Sequence, residues 1–216
     1  SPLKDMLGSF ISGLKGKGQS GLDLDLQIPL AKDDEIKING QLSFKDNEVL
    51  LPDQGYLLNS VNGVLQFTES SIRSDNLQAK MDTHAIDVAV QSLSVETDAL
   101  TRIGISGRLP VKNVLAPMPV LIEYMDGITD WTVNIDIPAA AKKNHPSATI
   151  SVKSNLQGVS SILPVPFNKA ENASALFGLD IDVLPDDVLA MTLNYNESIA
   201  LHARYAKQLW DIGLRS

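Results

Sequence analysis

The sequence predicts a mainly β chain, built as a long antiparallel meander. Three observations carry that expectation. Almost every apolar segment alternates apolar and polar residues, the period of a strand with one buried face. One short unit is written twice, as Ile38-Asn39-Gly40-Gln41-Leu42-Ser43-Phe44 and as Val61-Asn62-Gly63-Val64-Leu65-Gln66-Phe67. The segments follow one another through short turns, which favours antiparallel neighbours.

In order, residues 2–15 read as a helix. Leu3, Met6, Leu7, Phe10, Ile11 and Leu14 recur at spacings of three and four, and Gly16-Lys17-Gly18 ends the pattern. Gly8 and Gly13 weaken such a helix by up to about 1 kcal/mol each. A core or capping helix is the plainer reading, an interfacial membrane helix the sharper one. Leu22-Asp23-Leu24-Asp25-Leu26-Gln27-Ile28-Pro29-Leu30 is the first strand, with Asp33-Asp34 as its turn. The first repeat follows, then a short Val49-Leu50-Leu51-Pro52 strand stopped by proline, then the second repeat. Segments 71–74, 77–81, 86–90, 93–95 and 103–109 continue the meander.

Residues 111–126 break the rhythm. Val114, Leu115, Met118, Leu121, Ile122 and Met125 suit a helical face, but Pro117 and Pro119 interrupt it. Two short helices with a proline bend are expected. Alternation returns over 131–138, 148–158, 179–183, 189–195 and 199–205, the last two as a hairpin. Leu163-Pro164-Val165-Pro166-Phe167 reads as an extended proline turn. The organisation is one section, 1–216: a helix at about 2–15, strands at about 20–110, the proline-broken helical segment at about 111–126, and strands at about 130–206.

The bulk properties exclude several function classes. The net charge of −8 disfavours nucleic acid, since phosphate binding needs clustered Lys and Arg. There is no cysteine, which removes thiolate zinc sites and disulfides. No run of about 18 apolar residues exists to cross a bilayer. His84, His145 and His202 stand singly, and no HExxH, Gly-x-Ser-x-Gly or phosphate-binding glycine loop occurs. The pairs Asp23/Asp25 and Asp180/Asp182 could serve acid–base chemistry. Each pair is the polar side of an alternating strand, and a solvated face is the simpler reading. Catalysis and metal or cofactor binding are therefore not expected.

The apolar faces need a cover, and two short helices cannot supply it. A sandwich, a closed barrel, or a trough that holds an apolar ligand would each satisfy the pattern. A trough lined by Leu, Ile and Val suits acyl chains better than a polar metabolite. A closed sandwich would act as a structural or protein-binding module. Aromatics at 5 % are sparse for such an interface.

The two repeats, with Asp46-Asn47-Glu48-Val49-Leu50-Leu51-Pro52 between them, resemble the repeated units of the YhdP family in the AsmA-like group. The run Ser154-Asn155-Leu156-Gln157-Gly158, continuing to Leu163-Pro164-Val165-Pro166-Phe167-Asn168-Lys169, is similar to another element of that family, and so is Gly107 through Trp131 to Pro138. The likeness covers about residues 20–205. It implies an internal or C-terminal section of a bridge-like phospholipid transport protein of Gram-negative bacteria. Such a protein is periplasmic, anchored in the inner membrane by a segment outside this chain, and directed to the outer membrane. The sheet would then be twisted into an apolar groove, with no chemistry and no cofactor. Its partners would be phospholipid acyl chains and, through other parts of the protein, the two membranes.

On that resemblance the groove lining maps onto the apolar strand positions. In the first half these are Leu24, Leu26, Ile28, Ile38, Leu42, Phe44, Val61, Leu65, Phe67, Met81, Val88, Val90, Ile103 and Ile105. In the second half they are Trp131, Val133, Ile135, Ile137, Ile150, Val152, Leu156, Leu179, Ile181, Val183, Leu189, Met191, Leu193, Ile199 and Leu201.

Overall fold

The computed structural model describes residues 15–28, 37–51, 56–95, 98–116, 122–139, 145–186, 188–196, 199–206 and 209–215. Thirteen strands run through them: β1 (Lys15–Gln27), β2 (Lys37–Leu51), β3 (Tyr56–Thr68), β4 (Ile72–Met81), β5 (His84–Val95), β6 (Asp98–Pro110), β7 (Met125–Pro138), β8 (Ala148–Ser154), β9 (Val159–Ser161), β10 (Phe177–Leu184), β11 (Val188–Tyr195), β12 (Ile199–Ala206) and β13 (Leu209–Arg215). One short helix, α1 (Val111–Val114), follows β6. The strands neighbour one another in chain order from β1 to β8, then β10 to β13, and β9 pairs with β7 off that path. The fold is thus mainly β, one open antiparallel sheet that twists as such sheets do. The strand order does not close on itself among the described residues, since β1 and β13 end the path.

The chain divides into two compact units, residues 1–104 with 137–140, and residues 105–136 with 141–216. In the first unit the repeats explain the register. The two copies pair with each other head to tail, Gly40 opposite Phe67, Leu42 opposite Leu65 and Phe44 opposite Gly63. Partners across a ladder share a face, so each glycine stands opposite the aromatic of the other copy. The core lies on that face: Leu65, Phe67, Ile72, Leu77 and Val90 are buried together, with Ile38, Leu42, Phe44, Val88 and Ile103 packed against them.

In the second unit the core is Leu109, Val111, Leu115, Trp131, Ile135, Leu156, Val159, Phe177 and Tyr195. The Trp131 ring meets Phe177 edge-on at 5.8 Å, and its indole N–H donates to Leu109 O at 3.2 Å. A buried indole needs that acceptor.

Several boundaries differ from the sequence reading. The helix expected over 2–15 lies outside the described residues, apart from Lys15, which already belongs to β1. Gly16 and Gly18 are residues of β1. The segments 36–44 and 49–52 are one strand interrupted by bulges between Phe44 and Val49. A bulge adds a residue and shifts the alternation, which made one strand read as two. The second helix does not reach Met125, where β7 begins, and residues 117–121 lie outside the described set. β8 stops at Ser154 and Leu156 sits in a turn with φ near 50°. β9 and β13 had no clear sequence signal, one being three residues long and the other ending the chain.

Candidate functional site: an apolar face and its cap

The register lines the apolar side chains into rungs across each unit. In the first, Leu22 stands opposite Leu42, Leu24 opposite Gly40, and Leu26 opposite Ile38. The rungs continue as Leu42–Leu65 and Gly40–Phe67, then Phe67–Ile72, and further along as Leu77–Val88 and Ala79–Ile86. Leu22, Leu24 and Leu26 are 60 %, 54 % and 48 % exposed. The apolar face therefore emerges into solvent at β1. Ile28 lies just past that strand and is exposed, Val61 is buried opposite Asn47, and Met81 is half-buried at the β4–β5 turn.

The buried Asn47 and Ser74 side chains on this face are satisfied internally, whereas His84 Nδ1, opposite Met81, is buried without a hydrogen-bond partner among the described residues. The Asn47 side chain donates to Ser20 Oγ at 3.1 Å and accepts from the Lys45 N–H at 2.8 Å. The Ser74 hydroxyl donates to Val64 O. A buried polar atom left unpaired would cost stability; paired in this way, these leave the face oily.

In the second unit the rungs are longer. Val133, Val152, Leu179, Leu193 and Leu201 form one line. Ile135, Ile150, Ile181 and Met191 form the next, which continues through Ala203 to position 212 on β13. Val183 stands opposite Leu189, and Tyr195 opposite Ile199. Ile105 is half-buried in β6, while Ile137 on β7 belongs to the first unit.

One end of this face is roofed. After β8 the chain turns at Leu156 and Gly158, lays β9 against the start of β7, and loops back. Ser161 and Lys169 close the loop by reciprocal backbone hydrogen bonds of 2.8 and 3.0 Å. The Phe167 ring packs on Tyr195 at 5.2 Å. Beneath this cap lies a cavity of about 210 Å³, walled by Leu115, Met125, Leu156, Leu163, Phe167, Phe177, Leu193, Tyr195 and Leu201, with Ser161 and Lys169. Lys169 is 7 % exposed. Its ammonium donates to Val159 O and to Ala170 O. Burial pulls its pKa below the ordinary lysine value, and Glu171 partly opposes that.

Two larger hollows have charged and amide side chains in their walls. One of about 680 Å³ is lined by Asp23, Asp25, Asn39, Gln41, Gln66 and Arg73 together with Leu24, Gly40 and Phe67. Another of about 560 Å³ is lined by Arg108, Asp130, Gln157, Gly158, Glu171 and Asn172. Among the described residues no three His, Asp or Glu side chains gather to hold a metal. His202 bonds Thr192 at 3.1 Å and Asp182 accepts from Thr149 at 2.9 Å, both ordinary cross-strand contacts.

The sequence matches the family described as "YhdP protein" over residues 1–213. The chain belongs to the YhdP family. It is 26 % identical over 187 residues to the intermembrane phospholipid transporter YhdP of Escherichia coli (strain K12), a match covering 84 % of this chain and 14 % of that protein. No solved structure matches it.

In this YhdP-family section the buried Ile72, Leu77, Ile86 and Phe177 share the apolar faces with residues expected from the sequence but were not among those expected. Ile72 and Leu77 escaped because the β4 bulge between Ser74 and Leu77 shifts the alternation by one residue. Ile86 was within reach, standing two residues before Val88. Phe177 was signalled by Ala175-x-Phe177-x-Leu179, and Leu22 by the strand it opens. Leu156 belongs to the cap cavity rather than to a strand. No helix among the described residues is long and apolar enough to cross a membrane.

Proposed function

We propose that this chain is one section of a phospholipid-conducting path across the periplasm, with acyl chains lying against the aliphatic face and head groups in water. The parent protein is anchored in the inner membrane elsewhere and directs lipid to the outer membrane, supporting its permeability barrier. One observation carries the reading: the leucines of β1 are exposed on the same face that buries Leu65 and Phe67. An extended apolar face open to solvent is unusual for a soluble chain and marks a binding surface. The relative's name supplies the ligand class. Among the described residues no three His, Asp or Glu side chains gather on the face, and in this reading lipid moves along it without chemical change.

The test is site-specific photo-crosslinking in Gram-negative cells. A photoreactive residue at Phe44 or Val133 is expected to capture phospholipid, and one at Gln66 on the polar side is not. Equal capture at all three positions, or none at Phe44 and Val133, overturns the reading.

A further inference from the structure

Lys169 is the only charged residue among the described residues that wall the cap cavity. Lysine is almost never buried without a charged partner. Here two of its three donors go to neutral carbonyls, Val159 O and Ala170 O. Among the described ion pairs no carboxylate lies within ion-pair distance of it, and Glu171 acts on it only from farther away. A lysine serving only to staple the loop would need no apolar room beside it. This one borders about 210 Å³, more than the engineered apolar cavity of about 150 Å³ that accepts benzene.

The cavity also has a direction. Leu193 and Leu201 belong both to its wall and to the second unit's apolar face. From Tyr195 the same face continues down β11 through Leu193 and Met191 to Leu189, about 20 Å at the rise of a strand. One leaflet's hydrocarbon is about 15 Å deep, half of the bilayer core. A lipid chain thus fits at full length with its acid end under the cap.

We propose that the cap cavity is a binding site for the acid group of a long-chain anionic amphiphile. A carboxylate or phosphate oxygen accepts from the Lys169 ammonium, and the alkyl chain lies from Leu193 toward Leu189. This rests on the lipid reading above and narrows it, giving the section a place where an anionic lipid is held rather than passed along. The charge-assisted bond in a water-poor cavity supplies the preference, and the aliphatic face supplies affinity common to any chain.

The experiment is calorimetric titration of the 216-residue chain and of its Lys169→Met variant with dodecanoate, dodecyl phosphate and dodecanol. The two acids are expected to bind the wild type about tenfold or more tightly than the alcohol. The variant is expected to bind all three alike, at the affinity of the alcohol. A stronger phosphate response identifies a lipid head group as the source, and a stronger carboxylate response a free fatty acid; either supports the site. Equal binding of the three ligands by the wild type overturns the site and leaves the apolar face intact. Binding of none overturns both. The wild-type comparison does not depend on the variant folding. The Lys169 side-chain NMR signals provide a second reading: they are expected to shift with either acid and not with the alcohol, and unmoved signals overturn the site.

Discussion

Gly40 and Phe67 stand directly opposite each other on β2 and β3, and the Phe67 ring occupies the space a Cβ at position 40 would take. The matching pair, Gly63 opposite Phe44, works differently. Gly63 has φ near 130°, and a Cβ there would meet the backbone of Asn76 and Leu77 at 2.6–3.0 Å. The same Asn-Gly pair thus serves ring packing in one copy and backbone geometry in the other.

Alanine therefore separates the two roles. Gly40→Ala is expected to cost about 1–3 kcal/mol by overpacking, and Phe67→Leu in the same chain to recover part of it. Gly63→Ala is expected to cost at least as much, since strain at positive φ adds to the clash. Phe67→Leu is expected not to relieve it. Urea denaturation of the four variants checks this.

Charge on the apolar face is expected to act differently at its open and buried parts. Leu24→Asp lies at an exposed position and is expected to change stability by no more than about 0.5 kcal/mol while abolishing lipid capture at Phe44. Ile135→Asp buries an unpaired carboxylate and is expected to cost several kcal/mol. A melting transition that collapses for Leu24→Asp would contradict an open face at β1.

Trp131 is expected to be the most expensive deletion in the second unit. Trp131→Ala removes the edge contact to Phe177 and the indole donor to Leu109 O, for about 3–5 kcal/mol. Trp131→Phe keeps most of the packing and is expected to cost less, the difference reporting the indole bond. Chemical denaturation followed by circular dichroism measures both.

Burial holds the Lys169 pKa below 10.5, so the unfolded chain keeps this proton to higher pH than the folded one. Stability from this group therefore rises as pH climbs through the folded pKa toward 10.5, and Lys169→Met is expected to remove the rise. Tyr195 on the same cavity is pushed above 10.0 by burial, and its contribution is lost as pH rises through its folded pKa. Tyr195→Phe is expected to remove that fall. Urea midpoints across alkaline pH distinguish the two groups.

The sequence by itself determined the strand class, the antiparallel order and the apolar identity of the face. Each is local: alternation writes which residues share a side, and short turns leave adjacent pairing as the only economical topology. Thus Leu42, Leu65, Ile135 and Leu193 were legible as one-sided strand residues before any fold was known. The tertiary structure decided what alternation cannot encode. Bulges at β2 and β4 change phase without changing composition, so Ile72 and Leu77 joined the face only once the register was set. The cap over Tyr195, and the burial of Lys169 beneath it, depend on a loop folding back across strands far away in the chain. Such contacts arise from packing between distant segments, which no local periodicity records.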